Sequence, residues 1–495
     1  MAISEHVDLS SRRTVDPAND GIGAQSVSDD GASTVAGSPS AIRGFTHDWV
    51  PALFYLLLDI LSWVAIYGFA SFLRREGYSA ATPLEFLFVD VLPLAVIVSA
   101  LFIVGGYDRH TDMRTLSYTA EHLLALIGAV AVSALLIYSA ATFDKSMKPS
   151  RGVVLLSFIL FLPVSLSYRR RVRRFVETAS ANEAFLVIGS GEVAARFKRA
   201  YEESDKKQQL EFIAEEDLSS GRSDYIAKID NLDERYSGII LAEPVSHFSP
   251  ALLERLVRTQ FQRTRVYTLE SFYETHWRYV PLDVIDPVWP LQTGFQLARI
   301  SPYHYLKRLF DLVVSTLALI VLAPVAAVIA VLIWLVNGRP IIFSQTRVGR
   351  DEHPFTIYKF RTMAAHPAEE TEEIYTRSDD RRLLRLGRWL RKLRLDELPQ
   401  FWNVFRGEMS LIGPRAEWTK CTERYEKRIP FYHFRHLVKP GITGWAQVNY
   451  PYGESDEDAM EKLKYDLYYI RHYSLKLDAM IVLKTIHTML FGKGR

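Results

Sequence analysis

Four apolar stretches dominate the first third of the chain, at about 50 to 72, 86 to 106, 119 to 142 and 152 to 168. Each is close to the roughly 20 residues that a helix needs to cross a bilayer. As buried helices of a soluble protein they would leave too little polar chain to cover them. The basic run RRRVRR (169–174) follows and is expected to stay in the cytoplasm. The pattern predicts a four-helix transmembrane bundle within residues 45–175, with both ends cytoplasmic.

The segment before the bundle and the overall charge exclude other classes. Residues 1–44 are rich in Ser, Asp, Ala and Gly without an apolar period, which predicts a disordered tail and no secretory signal peptide. The formal net charge of +2 does not indicate nucleic-acid binding. A single cysteine, Cys421, excludes an intrachain disulfide framework and fits a reducing compartment.

Residues 184–300 change to a soluble α/β pattern. The run AFLVIGSGEVAARFKRAY predicts a strand, a glycine-rich turn and a helix, and SGIILAEP and TRVYTL predict later strands. Gly189-x-Gly191-x-x-Ala194 is similar to the Rossmann turn that places a pyrophosphate on a helix N-terminus. This signal is not specific, so a Rossmann-like module that binds nothing stays an alternative, and no cofactor-binding residue is assigned.

A second long apolar run occupies residues 309–336 and contains Ala323-Pro324 near its middle. Proline removes a helix hydrogen bond, and basic residues on both flanks favour the same side of the membrane. The flanking basic residues are Lys307, Arg308, Arg339, Arg347 and Arg350. We predict a re-entrant helix, broken at Pro324, that enters and leaves one leaflet; the alternative is a straight fifth span.

The adjacent acids Asp396 and Glu397 lie in a basic segment, since residues 376–415 hold ten Lys or Arg and five Asp or Glu. This excess favours phosphates of a small substrate or lipid, because no nucleic-acid-binding module is recognisable. Neighbouring residues on a helix point about 100° apart, so one carboxylate could attack phosphorus while the other holds a divalent cation. Nearby arginines are expected to keep Asp396 ionised. Alternatively, the pair only favours a helix start before Pro399.

Three segments together resemble one family. They are FSQTRVGRDEHPFTIYKFRTM (343–363), LRLDELPQFWNVFRGEMSLIGPR (393–415) and LVKPGITGWAQVNYPYG (437–453). In order and spacing, over about residues 300–490, the chain resembles the bacterial sugar transferases, the monotopic phosphoglycosyl transferases. The resemblance implies a re-entrant helix plus a mainly helical monotopic catalytic domain in residues 301–495. With the bundle and the α/β module, the chain is similar to the long members of the family.

The resemblance also implies an activity: transfer of a hexose 1-phosphate from UDP-glucose or UDP-galactose to undecaprenyl phosphate, which primes exopolysaccharide or O-antigen synthesis. It assigns Asp396 as the nucleophile that carries a covalent phosphosugar and Glu397 as the ligand of a Mg²⁺ cofactor. Further expected substrate-binding residues are Lys359, Arg361, Arg391, Arg415, Lys439 and Gln447. The chain departs from the family pattern at Ala416, after Gly-Pro-Arg, and at Ala323, before Pro324.

Partners and location follow from the same resemblance. We expect contact with membrane lipids and the polysaccharide assembly machinery, a homodimer, and no nucleic acid. We also expect a multi-pass protein of the bacterial inner membrane with its catalytic domain on the cytoplasmic face. Because every family motif follows residue 300, a chain that starts there is expected to keep some activity.

Two other functions are weighed against this one. A membrane-bound NAD-dependent nucleotide-sugar dehydratase or epimerase needs a Tyr-x-x-x-Lys pair, which Tyr303 and Lys307 could supply, although at the entry to the membrane segment. A non-catalytic scaffold of a polysaccharide assembly complex would leave the three transferase motifs without a purpose.

Overall fold

Within the described part of the chain, the protein is mainly helical, with a four-stranded parallel sheet and two small two-stranded sheets. The computed structural model describes residues 49–74, 91–108, 111–142, 150–179, 184–189, 191–203, 209–213, 236–243, 248, 250–262, 264–285, 289, 295, 298, 301–364, 383–450, 453 and 455–491. The predicted tail, residues 1–44, lies outside these residues.

The first helices form the predicted membrane bundle. They are α1 (Trp49–Leu73), α2 (Leu92–Ile103), α3 (Leu116–Ala140) and α4 (Arg151–Ala179). By length and composition, α1, α3 and α4 are candidate membrane spans, as predicted for three of the four stretches. The described part of the second stretch, α2, is a shorter apolar helix of 12 residues, and residues 86–90 lie outside the described chain.

A buried ion pair joins two helices of the bundle. Arg169 of α4 donates two hydrogen bonds to Asp59 of α1, at 2.8 and 2.6 Å, and both side chains are fully buried. Tyr107, which follows α2, donates to the same carboxylate at 2.5 Å. A charge in apolar surroundings needs such partners, so this cluster fixes how the helices meet.

The α/β module has the predicted strand–turn–helix start. Its elements are β1 (Ala184–Ile188), α5 (Glu192–Glu202), β2 (Gln209–Ile213), β3 (Tyr236–Leu241), α6 (Pro250–Gln262), β4 (Arg265–Thr268) and α7 (Leu269–Phe272). The strands are parallel in the order β2-β1-β3-β4. The three strands predicted from the sequence, β1, β3 and β4, are confirmed.

The glycine-rich turn of this module holds one of the chain's own carboxylates. The backbone N–H of Gly191, at the start of α5, donates to Glu243 Oε1 at 2.9 Å. A helix N-terminus is where a Rossmann domain binds pyrophosphate. Because Glu243 takes this position, the contact favours the alternative that the module has a structural role.

The last part of the chain combines helices with two short sheets. Its elements are α8 (Tyr303–Asn337), β5 (Ile342–Val348), β6 (Pro354–Phe360), α9 (Arg385–Lys392), α10 (Gln400–Arg406), β7 (Ser410–Ile412), α11 (Thr419–Glu426), β8 (Gly441–Thr443), α12 (Trp445–Asn449), α13 (Asp456–Arg471) and α14 (Leu475–Phe491). Strands β5 and β6 form an antiparallel hairpin, and β7 pairs with β8 in parallel. A capping box of Ser455 and Asp458 opens α13.

The long apolar helix differs from the expected one. Helix α8 runs without interruption from Tyr303 to Asn337 with Pro324 inside it, so the predicted break is wrong at the level of secondary structure. Proline removes only one hydrogen bond and is tolerated in membrane helices, where local adjustment satisfies the freed backbone groups. At 1.5 Å per residue its 35 residues amount to about 52 Å along the axis, more than the roughly 30 Å hydrocarbon core.

Both ends of α8 are nevertheless held by the same domain. Near its start, Lys307 pairs with Asp478 of α14. At its far end, Ile333 packs in a buried cluster with Phe360 and Leu390. The middle of the helix is mostly exposed apolar surface. One folded domain cannot lie on both sides of a bilayer, so these contacts favour both ends on one side.

The core of the last domain begins before the predicted boundary at 300. Val280, Trp289 and Phe295 belong to the same buried cluster as Trp445 and Ile481. The ring of Trp289 is fully buried and meets Phe295 edge-on, with 4.9 Å between centroids. A chain that starts at residue 301 would lack these core side chains, so we expect it to be less stable than the whole protein.

The placement of α8 predicts a labelling pattern. In a Cys421→Ala background, Tyr305→Cys and Ser344→Cys place single exposed thiols next to the two ends of α8. We expect an impermeant thiol reagent, applied to whole cells, to label both thiols to the same extent. Labelling of only Ser344→Cys would mean that α8 crosses the membrane.

The shared core predicts a difference between two tryptophans. Trp289→Ala should lower the free energy of unfolding by about 3 to 5 kcal/mol, the usual cost of deleting a buried aromatic ring. Trp402→Ala is the matched control, because Trp402 is 47% exposed. Thermal unfolding in detergent measures both. Equal midpoints for the two variants would contradict a core that extends before residue 300.

Candidate active site

The acid pair lies in a tight turn between α9 and α10. Arg394 adopts a left-handed conformation with φ of 56°, and Leu395–Glu397 forms a single 3₁₀ turn before Pro399. Adjacent residues of a 3₁₀ turn diverge by about 120°. Asp396 and Glu397, both 8% exposed, therefore point into different surroundings. The sequence predicted such a divergence for neighbouring residues.

Glu397 is held by three cations from three segments. Its Oε1 lies 3.2 Å from Lys359 Nζ of β6 and 3.4 Å from Arg415 Nη2, which follows β7. Its Oε2 lies 3.6 Å from Arg394 Nη1. Burial by itself would raise the pKa of Glu397, but the charges of Lys359, Arg415 and Arg394 outweigh it and hold the pKa at about 2. This carboxylate is thus ionised and fixed.

Asp396 has no such clamp. Among the described residues, no hydrogen bond or ion pair holds its carboxylate. Burial, and then the charge of Glu397, raise the pKa of Asp396 above its usual value, while Lys359, Arg391 and Arg415 act to lower it. Arg391 and Arg415 thus favour the ionised form of Asp396, as predicted, but burial and Glu397 outweigh them, so that the pKa of Asp396 is raised.

Lys359 connects the two acids electrostatically. Burial, reinforced by the charge of Arg415, lowers the pKa of Lys359 to about 8, although Glu397 and Asp396 raise it. Arg391 of α9 lies on the Asp396 side and donates to Thr362 Oγ1 at 3.0 Å. The structure therefore brings five predicted residues together: Asp396, Glu397, Lys359, Arg391 and Arg415.

The other three predicted residues have different surroundings. Arg361 donates to the carbonyls of Gly338 and Arg339, at 3.0 and 2.9 Å, and so caps the end of α8. Gln447 donates to the Ile442 carbonyl at 3.1 Å, within its own motif. The pKa of Lys439 is lowered by burial and then by the charges of Arg308 and Arg350, and not by the acid pair. These contacts support roles in the framework or in a separate cleft.

Sequence reasoning missed the residues that position Arg415. Arg435 donates to the carbonyl of Arg415 at 3.0 Å and to Asp466 Oδ2 at 2.9 Å, and Arg435 and Asp466 are both buried. Asp466 belongs to α13, so only the fold brings it here. Arg394, by contrast, stands three residues before Glu397 in the quoted motif, and its spacing could have identified it.

The donor set suits a metal ion only in part. Within the described chain no group of three or more His, Cys, Asp or Glu side chains could hold a metal. Mg²⁺ often uses one or two carboxylates and takes its remaining ligands from phosphates and water. Asp396 and Glu397 fit that pattern, although Glu397 would have to release one of its cations.

The Tyr-x-x-x-Lys alternative finds no support. Tyr303 and Lys307 lie at the start of α8, and both donate to the Asp478 carboxylate at 2.5 Å. Neither lies in the α/β module, where a dinucleotide would bind. The geometry therefore disfavours a dehydratase or epimerase.

Comparison with known proteins points to one family. The bacterial sugar transferase family matches residues 302–492. An exopolysaccharide production protein of Rhizobium leguminosarum bv. phaseoli is 38% identical over 195 residues, which cover 38% of this chain and 98% of that protein. A UDP-N-acetylgalactosamine-undecaprenyl-phosphate N-acetylgalactosaminephosphotransferase of Aeromonas hydrophila is 41% identical over 240 residues, 48% of this chain and 55% of the relative.

A third relative names a different sugar. The UDP-glucose:undecaprenyl-phosphate glucose-1-phosphate transferase of Escherichia coli is 44% identical over 185 residues, 37% of this chain and 39% of the relative. The matched segment thus spans about half or less of the two longer relatives. The family match, residues 302–492, contains all eight predicted site residues.

The surroundings of Lys359 predict how its amine titrates. Competitive acetylation of the whole protein across pH, read by mass spectrometry, should give an apparent pKa for Lys359 near 8. Glu397→Gln removes a charge that favours the ammonium form, so the apparent pKa should fall further. A value for Lys359 near 10.4, that of an ordinary lysine, would contradict the buried cluster.

Proposed function

The chain belongs to the bacterial sugar transferase family, and we propose that it transfers a hexose 1-phosphate from a UDP-sugar to undecaprenyl phosphate. The observation that carries the proposal is the asymmetry of the acid pair. Glu397 is fixed by three cations, whereas Asp396 stands unclamped in the same cationic pocket. A nucleophile needs free oxygen atoms, and the phosphate that it attacks needs positive charge around it.

The proposed reaction has two displacements at one phosphorus. An Asp396 carboxylate oxygen attacks the sugar-linked phosphorus of the UDP-sugar, the bond to the second phosphate breaks, and UMP leaves. A phosphate oxygen of undecaprenyl phosphate then attacks the same phosphorus. The bond to Asp396 breaks, the carboxylate is restored, and the lipid carries the sugar diphosphate.

The cations have separate tasks in this scheme. Arg391 and Arg415 offer forked donors to the phosphate oxygens, and Lys359 supplies a point charge beside them. The lowered pKa of Lys359 means that its charge is lost as the pH rises through about 8. The raised pKa of Asp396 means that its ionised form is lost at a higher pH than for an ordinary aspartate as the solution is acidified.

We further propose Mg²⁺ as the cofactor. Glu397 would hold it, with Asp396 beside it, and the ion would offset negative charge on the diphosphate. Such a site would take its remaining ligands from the phosphates of the nucleotide and from water.

Location follows from charge and substrate. The basic run 169–174 at the end of the bundle favours the cytoplasmic side, and the catalytic domain follows it in the chain. We propose the cytoplasmic face of a bacterial inner membrane, and a priming role in exopolysaccharide or O-antigen synthesis. A homodimer and contacts with the assembly machinery remain part of the proposal.

The sugar is best found by direct assay. The relatives' names give glucose in one case and N-acetylgalactosamine in another, and our expectation from the resemblance is glucose or galactose. Purified protein with undecaprenyl phosphate and a panel of UDP-sugars would separate these.

The mechanism predicts a strong effect of Asp396→Asn. The amide keeps the shape of the side chain but is a far poorer nucleophile, so transfer should fall by orders of magnitude while the unfolding temperature changes little. Given UDP-sugar without lipid, wild-type enzyme should release about one UMP per protein and keep labelled sugar phosphate on residue 396. Glu397→Gln should also strongly reduce transfer, because the three cations around the phosphate would lose the carboxylate that positions them.

Two results would count against this mechanism. One is near-normal transfer by Asp396→Asn. The other is release of UMP only when the lipid is present, which would mean direct transfer between the two substrates. The first result would leave Asp396 as a helix-start residue, and the second would exclude the covalent intermediate.

A further inference from the structure

A second cationic cleft lies beside the catalytic domain's hairpin, and we call it the Lys439 cleft. It has a volume of about 450 Å³. Its polar lining residues are Arg350, His353, Thr356, Tyr358, Arg406, Glu408 and Lys439. Through Arg350 and Lys439 it adjoins a narrower space lined by Arg308 and Asp311 of α8.

The cations that line this cleft, Arg350, Arg406 and Lys439, outnumber its lining carboxylate, although Arg350 also pairs with Asp351 at 3.3 Å. Among the residues that the structure describes, no hydrogen bond or ion pair engages the Lys439 ammonium. A Cβ placed on Gly407 would lie 3.4 Å from Lys439 Nζ and 3.0 Å from Arg308 Nη2, so two cations converge on one point. Glu408 is already engaged by Arg406 at 3.3 Å and by Asn403 at 2.7 Å. Like charges so close raise the free energy of the empty cleft, and an anion would lower it.

The cleft is separate from the acid pair. Tyr358 lines the cleft, whereas its neighbour Lys359 contacts Glu397, and successive side chains of a strand point to opposite faces. The charges that shift the pKa of Lys439 are those of Arg308, Asp311 and Arg350. A ligand in the cleft would therefore occupy the other face of the hairpin from the reacting carboxylate.

The cleft lies close to the start of the apolar helix α8. Arg308 stands in the second turn of α8, just before the apolar run, and donates to the Val404 and Phe405 carbonyls at 2.6 and 2.8 Å. Phe405 stacks on Trp402, with 5.5 Å between centroids, and both rings are exposed. Exposed aromatic rings next to the start of a membrane helix are typical of the headgroup level of a bilayer.

We propose that the Lys439 cleft binds a phosphate group, held by Lys439, Arg350 and Arg406. Arginine and lysine together match phosphate oxygens with forked donors and a point charge. At the headgroup level, a lipid phosphate is the nearest source, and soluble phosphate shares the same chemistry. This binding does not depend on the transfer reaction, and it is measured without a UDP-sugar.

The test uses the whole protein in a non-ionic detergent with three phosphate probes: phosphatidylglycerol, undecaprenyl phosphate and inorganic phosphate. We expect Lys439→Gln and Arg406→Gln each to weaken binding about tenfold or more, as expected for the loss of one charge-assisted contact. Lys439→Arg should keep most of the affinity. The matched control is Lys427→Gln, an exposed lysine outside the cleft, which should bind like wild type. Lys359→Gln tests whether a probe binds at the acid pair instead.

The outcomes distinguish a lipid phosphate from soluble phosphate, and the Lys439 cleft from the acid pair. Binding of one or both lipids without inorganic phosphate identifies a lipid headgroup, and competition by inorganic phosphate identifies the phosphate group itself; both support the cleft. Failure of all three probes to bind wild type overturns the proposal, as does unchanged binding by Lys439→Gln and Arg406→Gln. Loss of binding only in Lys359→Gln assigns the phosphate to the acid pair and also overturns it. If Lys439→Gln fails to fold, Arg406→Gln still decides, because its side chain is 49% exposed.

Discussion

The carboxylate of Glu397 holds three segments of the catalytic domain together through ion pairs. Lys359 reaches it from the hairpin, Arg394 from the turn before α10 and Arg415 from the segment after β7. A buried charge is tolerated only when other charges compensate it, so each of these segments has to be in place for the others. The same cluster leaves Asp396 unclamped, and this division of tasks between two adjacent acids gives the site its chemical character.

A close contact between backbones supports this cluster. A Cβ on Gly413 would lie 2.3 Å from the Lys439 carbonyl oxygen, and one on Gly441 would lie 2.1 Å from the Gly413 nitrogen. Only glycine allows this approach. The contact lets β7 and β8 pair and sets the position from which Arg415 reaches Glu397. Two motifs more than 20 residues apart in the chain thus act as one unit.

The parts before residue 300 are continuous with the catalytic domain. Arg278, which ends the π-helical turn Tyr273–Trp277 after α7, pairs with Asp108 at 2.7 Å. Its carbonyl accepts a hydrogen bond from Trp445 Nε1 at 3.0 Å. Trp445 stands in the third family motif. Bundle, α/β module and catalytic domain therefore meet around one residue, which gives the early parts a structural role although they supply none of the predicted site residues.

The sequence by itself determined the elements and the chemistry of the site. Apolar length predicted the membrane helices, strand and turn patterns predicted the α/β module, and the motifs identified the acid pair with Lys359 and Arg415. These are local properties, written in neighbouring residues. Only the tertiary structure decided that desolvation raises the pKa of Asp396, that Lys439 faces another cleft and that α8 stays helical through Pro324. Those outcomes depend on burial and on partners distant in the chain, which no local pattern contains.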